Sequence, residues 1–172
     1  TIRPSPVVVA RDQRTGSGLR RTRPGVRRDD AARPRSNVAP TEPVDPIERR
    51  RLEALAELGV LDTLPEPVFD AITAAAAESC GVPIALVSLV DADRQWFKSS
   101  VGLPGVEQTP RAVAFCHHAI RGTQLFEVPS AQDDARFANN PLVTGEPGIR
   151  FYAGAPIELP GGERVGTVCV ID

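Results

Sequence analysis

From Asp45 onward the apolar positions follow one period, then another. Leu52, Leu55 and Leu58 recur every three residues behind Asp45-Pro46-Ile47-Glu48. Asp45 suits an N-cap, Pro46 the first helical position, and Glu48 completes a capping-box-like pair. Gly59 is placed to end this helix in the left-handed conformation. A second start signal, Thr63-Leu64-Pro65-Glu66, precedes Val68, Phe69, Ile72, Ala75, Ala76 and Ser79, one face at helical spacing that Gly81 closes. Then the period changes. Val82 to Val90 is short and apolar on both faces, which predicts a central strand.

Asp91-Ala92-Asp93 makes a turn, so Arg94–Val101 reads as a half-exposed strand returning on the first as a hairpin. A Gly/Pro loop, Gly102–Gly105, leads to a helix start at Thr109-Pro110, with Ala114–Ile120 helical. Residues 124–128 suit a short strand. Gln132–Asn140 is a polar excursion anchored by Phe137, a helical turn ended by Pro141. Ile149–Ile157 and Glu163–Ile171 flank Pro160-Gly161-Gly162 and predict a second hairpin. Runs of helix and hairpin imply an α+β fold, an antiparallel sheet with helices packed on it, and not a doubly wound one.

Charge divides the chain in the same place. The total is −2, but residues 1–40 hold ten arginines against three acids, and residues 41–172 hold ten basic residues against nineteen acids. Residues 1–44 add six prolines, the Thr15-Gly16-Ser17-Gly18 stretch and a single aliphatic patch, Val7-Val8-Val9. So little apolar surface cannot offset the ordering entropy, and a disordered basic leader is expected, followed by one domain over 45–172. The Arg20–Arg28 run has no aromatic side chain before Phe69 to stack on bases, and nucleic acid is not the expected partner. The longest apolar stretch is about half of the ~20 residues a membrane helix needs, so no membrane partner is expected either. Cys80, Cys116 and Cys169 are few, odd in number and far apart, which favours reduced thiols in a cytoplasmic protein.

Seven segments in order carry a resemblance to a known family: Leu58–Thr63, Val82–Asp91, Arg94–Ser99, Phe115–Ile120, Asp134–Pro141, Ile149–Pro156 and Gly166–Asp172. Over them the chain resembles a GAF domain of the type found at the front of bacterial sensor histidine kinases and diguanylate cyclases. The resemblance implies a GAF/PAS-like antiparallel sheet of five or six strands, helices behind it, and a pocket on its other face where many relatives bind small ligands. It also implies one more helix after the last strand, leading to an output domain. The sequence stops at Asp172, before that helix, which suits a lost coupling element or a piece of a longer sensor.

The chemistry-bearing residues are read against that background. His117 and His118 are neighbours, about 100° apart on a helix, so they cannot share a metal, and no metal site is expected. Cys116 followed by His117 superficially matches the bilin-attaching Cys-His of phytochrome GAF domains, while the surrounding Phe-Cys-x-His-Ala-Ile block resembles non-photoreceptor relatives. Some stand-alone GAF proteins reduce free methionine sulfoxide with paired cysteines, chemistry that needs a resolving thiol within reach. Neither Cys80 nor Cys169 has a local spacing that promises one, so no catalytic residue is assigned. The expected ligand-binding set is Phe115, Cys116, His118, Asp134, Arg136, Phe137, Arg150 and Tyr152, with Asp133 and Phe151 beside them. Arg150, if turned inward, needs either Asp134 or an anionic ligand as partner. The Asn-Lys-Phe…Asp-Glu pattern of cyclic-nucleotide-binding GAF domains is absent. The expectation is a sensory and regulatory domain in signal transduction. It binds an unidentified small molecule, forms a homodimer, and controls an output domain in cis or in trans; any cofactor is left open.

Overall fold

The computed structural model describes residues 45–172; the leader expected over 1–44 lies outside the described residues. Helices α1 (Pro46–Glu57) and α2 (Pro67–Cys80) come first, then strands β1 (Ile84–Val90), β2 (Arg94–Val101) and β3 (Gln108–Pro110). A 3₁₀ turn at Arg111–Val113 leads into α3 (Phe115–Ala119), β4 (Phe126–Val128), α4 (Pro141–Thr144), β5 (Tyr152–Glu158) and β6 (Arg164–Ile171). The six strands form one antiparallel sheet in the order β3-β2-β1-β6-β5-β4. The α+β sheet and both hairpins expected from the sequence are present. None of the described helices is long and apolar enough to cross a membrane.

β1 is central because every one of its residues is buried, as its two-faced apolar pattern demands. Ile84, Leu86 and Val90 join Phe97, Phe115, Phe137 and Tyr152 in the larger core, on the side of α3 and α4. Leu89 belongs to the smaller core of Leu55, Trp96 and Val165, which α1 covers. Between β1 and β2 the register slips at Lys98: Val87 faces Ser99, whereas Ser88 faces Phe97. The bulge turns both Lys98 and Ser99 towards the helices. Ser99 Oγ donates to Asp70 at 2.7 Å and meets Thr73 Oγ1 at 2.8 Å, while Lys98 Nζ donates to Thr63 Oγ1 at 2.7 Å and Leu64 O at 2.9 Å.

Local signals are followed at α1, where Asp45 accepts from Ile47 N at 3.1 Å and Gly59 takes φ +58°. Glu48 does not reach back to close a capping box. It turns to Arg51 and Arg111 instead, two guanidiniums that outbid one backbone N–H. α2 begins at Pro67, not at Thr63, because Thr63 is engaged with Val60 O and Lys98. Its expected apolar face is also displaced: Val68 and Ile72 are 59% and 41% exposed, and Phe69, Thr73, Ala76 and Ala77 turn inward. Alanine makes the helix nearly as apolar on several sides, so the polar tie between Thr73 and Ser99 decides its rotation. Thr109-Pro110 starts no helix. It ends the edge strand β3, opposite Arg94 and Gln95, where a missing proline N–H is tolerated. Pro141, expected only to end the preceding turn, also opens α4, with Asn140 Oδ1 accepting from Leu142 N at 2.9 Å.

Candidate functional site

The larger core has a polar floor. Tyr152 on β5 and Thr167 and Cys169 on β6 meet Cys116 of α3, all four fully buried. Cys116 Sγ accepts from Thr167 Oγ1 at 3.0 Å and from Tyr152 Oη at 3.2 Å, and Cys169 Sγ lies 3.7 Å from it. Ser88 Oγ extends the group through Thr167 at 3.2 Å. Burial pushes the Cys116 thiol up, but hydrogen bonds from Cys169, Ser88, Thr167 and Tyr152 together carry it below the usual thiol range. Cys169, the donor to its neighbour and equally buried, is held well above that range, and burial likewise raises Tyr152. Of the two sulfurs, Cys116 ionises first.

Above this floor a cavity of about 370 Å³ opens between the sheet, the start of α3 and the loops around Leu103 and Pro147. Its walls are apolar, chiefly Ile84, Leu86, Phe97, Phe115 and Ile149. Among the described residues no Lys, Arg or His lines it, and Glu146 is its one charged side chain. Gln95, 5% exposed, is one of the lining residues, and its Oε1 is buried with no hydrogen-bond partner among the described residues. A buried acceptor left unpaired is unfavourable by about 1–3 kcal/mol, so this atom marks where a donor belongs.

Of the residues singled out in the sequence, Phe115, Cys116 and Tyr152 line this cavity. Phe137 lies behind them, stacked on Phe115 with ring centroids 4.0 Å apart. His118 faces away from the cavity, edge-on to Phe137 at 4.9 Å and stacked on Phe126 at 6.3 Å. Burial, then Arg121 and Arg136, lowers its pKa. Asp134 pairs with Arg136, whose guanidinium covers Phe126 and Phe137 at 5.0 and 5.3 Å; that pairing takes Asp134 down to about 2. Asp133 accepts from Ser130 at 2.7 Å on the exposed loop. Arg150 does not pair with Asp134, which is taken by Arg136: it is exposed and donates to Val143 O and Ile149 O at 3.0 and 3.1 Å. Phe151 is half-buried beside it.

Two features were missed by sequence reasoning. Gln95 sits on a strand read only as half-exposed. Cys169 pairs across the β5–β6 hairpin with Gly154, so counting the register from the turn would have brought it towards Tyr152, save for a shift between Ile157 and Glu158. No local spacing promised a second thiol for Cys116, and the fold supplies one from a distant strand: Cys169 is in contact with it.

A second concave region gathers arginines around Glu48. Glu48 accepts from Arg51 Nε and Nη2 at 2.9 and 2.7 Å and from Arg111 Nη1 at 2.6 Å. Arg51 Nη1 continues to Val90 O at 2.6 Å, tying α1 to the end of β1. Burial raises the Glu48 carboxyl, and the two guanidiniums overcome it and hold it at about 2. His117 lies between Arg111 Nε, 3.0 Å from Nδ1, and Arg121 Nη2, 2.9 Å from Nε2. Burial and these cations push its pKa down to about 4, so the ring is neutral at pH 7.

The sequence pattern that defines the GAF domain matches residues 64–172. A cyclic di-GMP phosphodiesterase of Pseudomonas aeruginosa is 47% identical over 132 residues, which make up 77% of this chain and 22% of that protein. The chain thus spans about a fifth of that relative's length. Among solved structures, a free methionine-R-sulfoxide reductase of Neisseria meningitidis in complex with its substrate is 15% identical, with a TM-score of 0.50 over 76% of this chain and 77% of that one. The GAF domain of a phosphoenolpyruvate-protein phosphotransferase of Coxiella burnetii is 12% identical, also with a TM-score of 0.50, over 74% and 80%. At these identities the two structures share the fold alone.

Proposed function

The chain belongs to the GAF domain family, and from that premise we propose that it is a regulatory ligand-binding module of a signalling protein, holding a small uncharged molecule in the cavity above Tyr152. The observation that carries this reading is a mostly apolar cavity whose lining includes Gln95, with its Oε1 buried and unpaired among the described residues. A concave apolar site with few placed polar groups is the general form of a small-molecule pocket. The ligand it suits is mostly apolar and offers one N–H or O–H donor to Gln95. A cyclic nucleotide suits it poorly, because its phosphate would enter a cavity lined by no cationic side chain and by the carboxylate of Glu146. The identity to a cyclic di-GMP phosphodiesterase supports an output domain that makes or degrades a cyclic dinucleotide in preference to a histidine kinase. Native mass spectrometry of the purified chain tests the ligand: a co-purifying neutral small molecule, lost on denaturation and lost in Leu103→Trp, supports the proposal. Saturable binding of a cyclic nucleotide in its place overturns it.

One observation favours a second reading, a thiol-dependent reductase of free methionine sulfoxide: the contact of Cys116 with Cys169. Incubation with methionine sulfoxide and a dithiol reductant separates the two, since turnover lost in Cys116→Ser supports the reductase and no turnover removes it.

A further inference from the structure

Two thiols buried only as small apolar side chains need no polar neighbours. The Cys116–Cys169 pair has them. Thr167 Oγ1 and Tyr152 Oη both donate to Cys116 Sγ, and the second thiol stands 3.7 Å away on the next element. The hydroxyl hydrogen bonds of both Thr167 and Tyr152 go to the Cys116 sulfur, an asymmetry that assigns different roles to the two thiols. Cys116 also forms part of the cavity wall, so a molecule as small as a peroxide can reach it although its surface exposure is 1%. Cys80, by contrast, is exposed at the end of α2 and has no thiol partner.

We propose that Cys116 and Cys169 form a redox site that hydroperoxides oxidise to a disulfide, with Cys116 as the attacking sulfur and Cys169 as the resolving one. The Cys116 thiolate, held by Thr167 and Tyr152, attacks the terminal oxygen of the hydroperoxide. The S–O bond forms, the O–O bond breaks, and the alkoxide or hydroxide that leaves takes up a proton to give an alcohol or water. Cys116 is now a sulfenic acid. Cys169 loses its proton and its sulfur attacks that of Cys116; the S–S bond forms, the S–O bond breaks, and the departing hydroxide takes the Cys169 proton to leave as water. Two thiols lose two electrons, and the hydroperoxide gains them. Closing from 3.7 Å to the roughly 2.0 Å of a disulfide draws Cys116 towards β6 and away from the cavity wall, so oxidation and ligand occupancy act on one side chain.

The test uses the whole chain carrying Cys80→Ser, so that the exposed thiol plays no part. Treatment with hydrogen peroxide near stoichiometry is followed by intact-mass measurement and peptide mapping, with circular dichroism to verify that the protein stays folded. The expected result is a loss of about 2 Da, recovered with dithiothreitol, and a crosslinked peptide joining Cys116 to Cys169. Adding Cys169→Ser should stop the reaction at a sulfenic acid on Cys116 that dimedone traps. Adding Tyr152→Phe, which keeps the ring and removes the donor, should slow disulfide formation several-fold and move its pH midpoint upward. Persistence of both free thiols in the folded protein under excess peroxide overturns the proposal. So does oxidation of Cys116 to a sulfinic acid while Cys169 remains free. Neither outcome bears on whether the cavity holds a ligand, which native mass spectrometry reads separately.

Discussion

Tyr152 lies along β5 over Gly154, and its hydroxyl and ring occupy the space that a β-carbon on Gly154 would need. The two residues are on the same face of the strand, two positions apart, and only the missing side chain lets the phenol lie flat enough to reach Cys116 at 3.2 Å. Gly154→Ala is therefore expected to act at two sites at once. The ring must leave a position with no surface exposure, at about 1–3 kcal/mol of stability, as overpacking of a filled core typically costs. Tyr152 also loses Cys116. A urea titration reads the first effect; the second appears as a rise in the pH at which Cys116 reacts with a small thiol reagent.

Glu48 makes the fold sensitive to acid. Its carboxyl, normally near 4.5, is held at about 2 when folded, so the unfolded chain binds the proton first as pH falls. The stabilisation is fully present above about pH 4.5 and is lost between there and about 2. His117, lowered from 6.5 to about 4, adds to the same trend between those values, because the unfolded chain protonates while the folded ring stays neutral. In Glu48→Gln the thermal midpoint at pH 7 should fall by the equivalent of about 1–3 kcal/mol, and the acid slope below pH 4.5 should flatten. Equal slopes in the two proteins would show that Glu48 contributes nothing.

Much of this was legible in the chain because strand and helix periods differ and the breaks between them carry Pro, Gly and Asp. The β1–β2 and β5–β6 hairpins, with their short turns, follow from such local rules. What failed was rotation and register. Val68 and Ile72 face solvent because alanines blur the face of α2, and Thr73 then fixes it through Ser99 on a strand 26 residues away. Lys98 and Ser99 share a side because of a bulge, and a one-residue slip reverses every later side chain. At the site the same limit applies. Phe115, Cys116 and Tyr152 were found from their segments, whereas Cys169 needed the register and Gln95 needed the knowledge that its oxygen is buried and unmet.

The bulge gives Lys98 a role that the sequence did not suggest. Its side chain is 1% exposed, pairs with Glu66 at 2.6 Å, donates to Thr63 and Leu64, and lies 5.3 Å from the centre of the Phe69 ring. It pins the segment between α1 and α2 to the sheet. Lys98→Ala removes every one of these contacts and is expected to destabilise the protein by about 2–4 kcal/mol, from the lost hydrogen bonds of a charged group and the lost packing of its buried stem. Glu66→Gln should cost less, about 1 kcal/mol, because the amide oxygen can still accept from Lys98, which keeps its two other acceptors. Urea midpoints of the two variants check the order; the reverse order would place the anchor in the ion pair alone.

Gln95 separates stability from binding. Its Oε1 is buried without a donor, so replacing Gln95 by Met, similar in length and free of that acceptor, relieves an unmet polar group. The ligand-free Gln95→Met protein is expected to be more stable than the parent by about 1 kcal/mol. Binding should move the other way: the donor on the bound molecule loses its acceptor, and affinity falls by about fivefold to a hundredfold, the equivalent of a hydrogen bond removed from an apolar pocket. Residues chosen only for packing do not show this opposition, since a better-filled core gains stability without reference to a ligand, and it marks a group kept for function at the expense of the fold. Thermal melts of both proteins, each with and without the molecule that co-purifies with the parent, read the two effects in one experiment. A Gln95→Met protein that melts lower without ligand, and shifts as far with it, would return Gln95 to an ordinary place in the wall.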